Sequence, residues 1–562
     1  MDKLSMEVRL LIAFLLMGLV LFVSPYVLGT GPVSDPNAPK AETKAVPQGP
    51  VPSTLAPALP AEAPAVAQLP GAVQADTVIE FAVETSVHKV VFSNRGATIR
   101  NWILKSYKDS TGQPLDLVNQ RAITPTQAGV KPLLAPFSLA FKNQPSTDPN
   151  DKLFKVTKGD NGLSVDFEYS DGRVTVKKSF QFAQASYLVK VSSQVIENGV
   201  LLPHSLVWRG GFGDTTVTNP TADTGSLYYD TANTKLNKHA VGDAKSGAIS
   251  SSGNFAFAGL EDKYFAGVAL PAEGASTELT TYSDNVPTIE GKEELHVGAA
   301  VGGSGANSFE IYAGPKDVAK LRMVDPRLDQ IIDWGWFGII AKPLFYGLLW
   351  AAANVTHNYG WAIILVTVVI NMVLFPLRLA SMKSSKKMQK IQPHVTALNE
   401  KYKGLSLNDP KKADQNQELM DLYKKNDINP VGGCVPMLVQ IPFFYALYKV
   451  LSLAIEMRGA EFLWVTDLSQ PEHLALRVLP LLLVVTQFIS QKMTPSPGMD
   501  PAQQKMMLFM PLLFGYMFYF ASAGLVLYWL TSNVVSISQQ WLLNRNSPAP
   551  ASAVVIPAKK KK

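Results

Sequence analysis

Tyr359-Gly-Trp-Ala-Ile-Ile-Leu-Val-Thr-Val-Val-Ile-Asn-Met-Val-Leu-Phe-Pro-Leu-Arg-Leu-Ala380 carries a single charge, Arg378, near its end. A helix crosses the hydrocarbon core of a bilayer with roughly 20 apolar residues, so this stretch reads as a membrane span. Similar blocks occupy 436–455, 474–491 and 506–541, the last long enough for two spans hinged at Ser522-Ala523-Gly524. Residues 10–28 form one more apolar run, with no A-x-A-like cleavage site after it, and read as an uncleaved anchor. Six transmembrane α-helices result. The aromatic stretch 334–350 is interrupted by Lys342-Pro343 and suits a helix lying on the membrane surface.

A chain of 562 residues exceeds one ordinary core, so several domains are expected. After the anchor (1–30), ten prolines fall between 31 and 70 among Ala, Gln and Gly, a composition that cannot bury enough apolar surface to fold. The segment 31–75 is therefore a tether. From about 78 to 315 the apolar period becomes two: Leu163, Val165, Phe167 and Tyr169 alternate up to the turn signal Ser170-Asp171-Gly172, and Val174 and Val176 resume the pattern. Tyr187, Val189 and Val191 repeat it before Asn198-Gly199. An antiparallel β-sandwich over 76–320 is the expected fold. The surface helix (325–355), a helical core (356–545) and a basic tail (546–562) complete the order.

Lys plus Arg number 51 and Asp plus Glu 45, giving only +6, which does not mark the whole chain as a nucleic-acid binder. The charge is concentrated. Residues 378–429 hold eleven basic side chains against six acidic ones, which places that segment in the cytoplasm by the positive-inside rule. With six spans both termini are then cytoplasmic and the β domain lies outside; Lys559 to Lys562 at the C-terminus agree. The one cysteine, Cys434, excludes an internal disulfide and a cysteine-rich zinc site. No GxxxxGK[ST], HExxH or GxSxG occurs, Gly210-Gly211-Phe212-Gly213 is only a glycine cluster, and the seven histidines are scattered. No metal, cofactor, catalytic residue or small-molecule substrate is expected.

Within the cytoplasmic segment (381–428) Met388, Ile391, Val395, Leu398 and Tyr402 form one apolar helical stripe, stopped at Gly404. Asp409 and Pro410 start a second helix with Ala413, Met420 and Tyr423 on one face. Such a hairpin is either a self-packed loop or a docking surface, with Lys386, Lys387, Lys390, Lys411 and Lys412 facing ribosomal RNA or anionic headgroups. Polar side chains inside the spans are the stronger signal, because they are expensive against lipid. Thr367, Asn371 and Arg378 share a face of the second span; Gln440 sits beside Pro442, Gln487 and Gln491 lie in the fourth span, and Ser532, Ser536 and Gln539 share a face of the last. They either bond helix to helix or line a wet groove. A transporter or channel, and a membrane-anchored carbohydrate-binding protein, are the rival readings. The first predicts intramembrane acids or an inverted repeat, neither of which is evident; the second leaves the polar spans unexplained.

Asn429-Pro-Val-Gly-Gly-Cys-Val-Pro-Met-Leu-Val-Gln-Ile-Pro442, Gln503-Gln-Lys-Met506, Phe509-Met-Pro511 and Gly524-Leu-Val-Leu-Tyr-Trp529 resemble the YidC family of membrane protein insertases, over roughly 330 to 545. Gly259-Leu-Glu-Asp-Lys-Tyr-Phe265 is similar to a stretch of the family's periplasmic domain. The resemblance implies a five-helix insertase core with a hydrophilic groove open to cytoplasm and lipid, a periplasmic β-supersandwich and an inner-membrane location. It also implies nascent membrane proteins as substrates, and work alone or with the Sec translocon, the ribosome and membrane lipids as partners. Thr367, Asn371, Gln440, Gln487, Ser532 and Ser536 would then hydrate the groove, Arg378 would attract acidic segments, and Tyr528 and Trp529 would form the exit surface. The family usually has arginine or lysine five residues before the proline of the second span; here that residue is Asn371. Arg378 lies two helical turns further along the same face.

Overall fold

The structure is a computed structural model. It describes residues 71–545 except 126–129, 218–222, 289–291, 304, 403–410, 427, 429–434 and 494–500. The expected anchor and basic tail, the tether up to residue 70, the helix stop at Gly404, the cap Asp409-Pro410 and the motif 429–434 lie outside the described residues; the last residues expected in the tether pair with the β domain, Val73 exchanging backbone bonds with Ser170 and Ala75 N donating to Leu153 O. The chain divides into two compact units, one ending at Ile331 and the other resuming at Ile332.

Alternation of apolar side chains builds the first unit, since every second residue of a strand points to the same side. Strands Ser164–Ser170 and Val174–Phe182 pair antiparallel with Ser170 opposite Thr175. Val165, Phe167, Tyr169, Val174 and Val176 are buried, as the period-two reading expects. Gly172 takes the positive φ of 84° that the turn requires. Leu188–Glu197 follows and turns at Asn198 and Gly199. All strand pairings described are antiparallel, within a four-stranded and a 14-stranded sheet. The long strand Ile249–Glu261 joins two halves of the larger sheet: its first part pairs with Ser276–Pro287 and its last part with Phe265–Pro271.

The four-stranded sheet packs face to face on the hairpin through aromatic rings. Phe92 meets Phe180 at 4.9 Å and Phe167 at 5.7 Å, and Trp102 meets Phe182 at 6.4 Å between centroids. A lysine is buried in this unit. Lys178 Nζ donates to the carbonyls of Gly96 (2.7 Å), Ala97 (3.2 Å) and Phe137 (2.7 Å), and burial pulls its pKa down to about 7. Three acceptors match the three protons of an ammonium. Lys178→Met is therefore expected to lower stability by about 2 kcal/mol or more, because buried carbonyls left without donors cost about 1–3 kcal/mol each. A urea titration followed by the β signal checks this; an unchanged midpoint would show that desolvating the ammonium costs as much as its bonds return.

The second unit is helical: α1 (Gly338–Ala351), α2 (Tyr359–Val373), α3 (Phe375–Lys401), α4 (Lys411–Lys425), α5 (Val435–Leu453), α6 (Val478–Met493), α7 (Pro501–Phe518) and α8 (Ala523–Arg545). The break between α7 and α8 falls at the expected hinge. Among the described residues Gly338–Thr356 is the one helix that is by itself long and apolar enough to cross a membrane, and α2 with α3 forms a second candidate bent by 53°. Lys342-Pro343, which interrupts the apolar run of the sequence, does not break the helix expected there. Pro343 falls early in the helix, which continues through it to Ala351 and a π turn at Ala352–Thr356.

α3 and α4 make the expected hairpin, with Ile391, Val395, Tyr423 and Ile428 buried and Met388, Leu419 and Leu422 packed on them. The face expected for the second helix needs correction. Ala413 and Met420 are exposed, and α4 turns Leu419, Leu422 and Tyr423 inward. Both sets fit a helical period; the partner helix selects the one with the larger apolar surface.

Candidate functional site

The bend between α2 and α3 positions the charge. Pro376 occupies the first turn of α3, where its missing N–H breaks no helical bond. The turn brings Arg378 back against the bundle: Nη2 donates to Gln440 Oε1 on α5 at 2.8 Å, and Nη1 donates to Ser536 Oγ on α8. Tyr528, about two turns before Ser536 on α8, hydrogen-bonds the Gln440 side chain. One guanidinium thus ties three helices together. Both partners are neutral, and among the described residues no carboxylate lies within ion-pair distance of Arg378. A guanidinium has five N–H donors, so several remain for a further acceptor. Arg378, Gln440 and Ser536 are all half-buried, open enough to be reached.

A second group lies deeper. Thr367 and Asn371 are 0% and 2% exposed, and Ser532 is 6% exposed. Thr367 Oγ1 donates to Ile363 O (2.6 Å), Asn371 Nδ2 donates to Thr367 O (2.8 Å), and Ser532 Oγ donates to Asn371 Oδ1 (3.4 Å). Gln539 Nε2 reaches Asn371 O at 3.5 Å. This is a dry helix-to-helix seam between α2 and α8. Ser536 connects it to the Arg378 group by donating to Ser532 O at 2.6 Å.

Gln487 is not brought to that group. Its Oε1 accepts from Asn533 Nδ2 at 2.9 Å on the side of α8 that faces α6. Gln540 donates to Met493 O on the same side, and Gln491 donates to Met507 O on α7. Sequence reasoning missed Asn533, although its spacing of seven from Gln540 puts both on one face. The pair expected at the exit also divides. Tyr528 is buried against Gln440, whereas the Trp529 ring meets Phe444 of α5 at 4.7 Å and Phe518 and Phe514 of α7 at 4.8 and 5.7 Å. On the hairpin, Lys386 donates to Leu543 O at 3.3 Å; Lys387, Lys390 and Lys411 are exposed, and the Lys412 side chain lies outside the described residues. Among the described residues no three His, Cys, Asp or Glu side chains come close enough to hold a metal ion.

The family described as the 60Kd inner membrane protein matches residues 350–550, and the YidC periplasmic domain matches residues 80–347. The membrane protein insertase YidC of Geotalea daltonii is 35% identical over 565 residues, covering 97% of this chain and 100% of that protein. The chain belongs to the YidC family of membrane protein insertases. The YidC of Citrifermentans bemidjiense is 36% identical, covering 96% of the insertase and 99% of its relative. The crystal structure of an active YidC insertase with the first transmembrane domain resolved is 18% identical, covers 84% of this chain and 94% of that one, and gives a TM-score of 0.36. The insertase is an inner-membrane protein that carries a large β-sheet periplasmic domain and acts on membrane proteins.

Proposed function

We propose that the insertase lowers the barrier for short polar segments by receiving them at the half-buried Arg378 group, and that it releases their apolar neighbours into lipid past Trp529. The observation that carries this reading is an arginine tied to neutral Gln440 and Ser536 with no acid among the described residues to neutralise it. In hydrocarbon each unsatisfied backbone group costs several kcal/mol, so a polar surface reaching part-way removes much of the cost. The apolar segment then gains about 25 cal/mol per Å² on leaving water. Arg378 attracts acidic segments, while Gln440 and Ser536 hydrate them. Thr367, Asn371 and Ser532 form the rigid wall behind, and Gln487 holds α6 to the other side of α8. No nucleotide or other cofactor enters the scheme, and no bond is made or broken.

The arrangement that fits is six spans: the anchor in 1–30, then α2, α5, α6, α7 and α8 as a five-helix core. α1 lies along the surface as an amphipathic helix, with Ile339 and Trp350 exposed and Phe345 and Leu348 buried. The α3–α4 hairpin and both termini are cytoplasmic, the β domain is a periplasmic supersandwich on a tether, and the hairpin lysines meet the ribosome or anionic lipid. The insertase works alone or beside the Sec translocon. Purified protein in liposomes, given a single-span substrate and no translocon, is expected to yield a correctly oriented, protease-protected segment. Absence of protection with folded protein would remove the autonomous reading.

A further inference from the structure

Arg477 stands one residue before α6, at the end of the connection 454–477 that follows α5, and takes no part in the Arg378 group. The connection is fixed on both sides. Ala523 N and Gly524 N at the start of α8 donate to Gln470 O (2.8 Å) and Leu468 O (2.9 Å), and the buried Glu472 carboxylate accepts from Leu479 N (2.9 Å) and Trp464 Nε1 (2.6 Å). Arg477 is thereby held against the turn between α7 and α8. Its Nη1 donates to Tyr519 O, and the guanidinium carbon lies 4.7 Å from the centre of the Tyr519 ring and 5.5 Å from that of Phe520. Among the described residues no carboxylate lies within ion-pair distance of it. A guanidinium has five N–H donors, and one contact to a carbonyl leaves the others for a further acceptor.

Two exposed apolar stripes run away from this charge. Along α7 and its end, Leu508, Phe509, Leu512, Leu513, Tyr516 and Phe520 are exposed and share one face, as residues spaced by three or four do. On α6, Leu481, Leu482, Val485 and Ile489 form a second stripe, with Arg477 one helical turn before Leu481. Neither stripe carries a charge or an amide. The other face of α7 is the inner one: Phe514 and Phe518 meet Trp529 there, and a Cβ on Gly515 would stand 2.2 Å from Val484 Cγ2 of α6. The stripe on α7 is about 18 Å long by the helical rise, close to the ~15 Å that one leaflet contributes to a hydrocarbon core of about 30 Å.

We propose that Arg477 holds the phosphate of a phospholipid whose acyl chains lie on the exposed stripes of α6 and α7, behind the face that meets Trp529. The proposal rests on the reading that α6 and α7 cross the bilayer; the leaflet is then the periplasmic one. A charge without a partner is expensive at the edge of hydrocarbon. A phosphate diester supplies the missing counter-charge, and the planar fork of arginine offers it two parallel N–H bonds. Tyrosine and its aromatic neighbour stand at the level of the headgroups, where such rings concentrate. The competing role for Arg477 is a cation at the C-terminal end of α7. That role needs only the bond to Tyr519 O and no lipid.

The test uses the full chain purified in detergent. Its melting temperature and its retained lipid, counted by native mass spectrometry, are followed as dioleoyl phosphatidylglycerol, dioleoylglycerol or inorganic phosphate is added. Phosphatidylglycerol should raise the melting temperature of the wild type by several degrees, and the other two should not. Arg477→Gln should weaken lipid retention about tenfold or more and abolish the rise. Lys492→Gln, which removes a charge near the other end of α6, should behave as wild type. Leu512→Glu puts a charge on the acyl path without touching Arg477 and should also lose the lipid, so it carries the test should Arg477→Gln fail to fold. An equal rise with dioleoylglycerol or with inorganic phosphate overturns the proposal. So does a lower melting temperature of Arg477→Gln with the lipid-induced rise intact, which leaves the helix end as the whole role, or undiminished retention in Leu512→Glu. Protease cleavage of vesicle-bound protein between 508 and 518 would remove the spanning reading and the proposal with it. A wild type that retains lipid through Arg477 yet inserts no substrate in liposomes leaves the site standing and removes the insertase reading.

Discussion

Arg378→Gln is expected to reduce insertion of single-span substrates with acidic translocated segments about 10- to 100-fold, while substrates with neutral segments insert nearly as well as before. A hydrogen bond to a charged group contributes about 1.5–3 kcal/mol, and each 1.4 kcal/mol is a factor of about ten. Arg378→Lys keeps the charge but loses the fork that holds Gln440 and Ser536 together, so it should restore part of the activity. Asn371 stands where the resemblance leads one to expect a positive charge, yet it is buried and bonded to Thr367 and Ser532. Asn371→Leu should therefore act on stability, by about 1–2 kcal/mol, and act alike on acidic and neutral substrates. The comparison is made by reconstituted insertion with paired substrates. Full insertion by Arg378→Gln together with abolished insertion by Asn371→Leu would return the electrostatic role to position 371.

The elements were legible wherever a period repeats. Val165, Phe167 and Tyr169 announce a strand because alternate residues share one environment, and Asp171-Gly172 ends it because the turn needs a positive φ. Polar residues in the spans were also visible, since little else interrupts those blocks. Their pairing was not. A helical wheel separates Ser532 from Asn533 by about 100°, but nothing local says that one faces Asn371 and the other Gln487. The same limit misplaced Met420, for which Leu419 and Leu422 are equally periodic neighbours. The segment 454–477 was opaque for a different reason: its order comes from carbonyls and a carboxylate that answer distant helix ends, a pattern without sequence period. Glu261 and its partners were missed likewise, because Lys238 and Lys316 stand on either side of it at long separation.

Glu261→Gln should cost the β domain about 3–5 kcal/mol, the usual effect of removing one partner from a buried ion pair. Glu261 is 5% exposed; its two oxygens meet Lys238 Nζ at 2.6 Å and Lys316 Nζ at 2.8 Å. Lys316 also donates to Asp262 O, and Lys238 to Ile331 O, so glutamine would leave two ammonium groups held near neutral carbonyls without their shared counter-charge. Burial alone would push the Glu261 carboxyl up, but Lys316 and Lys238 outweigh it and hold it below the ordinary value. A depressed carboxylate contributes its stability in full above the unfolded pKa of about 4.3 and loses it as pH falls through the folded value. The neighbouring Asp262 is shifted up by burial and works in the opposite sense, so the clean quantity is the difference between wild type and variant at each pH. Amide exchange of the strand Ile249–Glu261 in the full chain measures it. The difference should be large and constant from neutral pH down to about 5 and should shrink below about 4. A difference that stays constant through that window would mean that the carboxylate is held by shape and hydrogen bonds, with its charge contributing nothing.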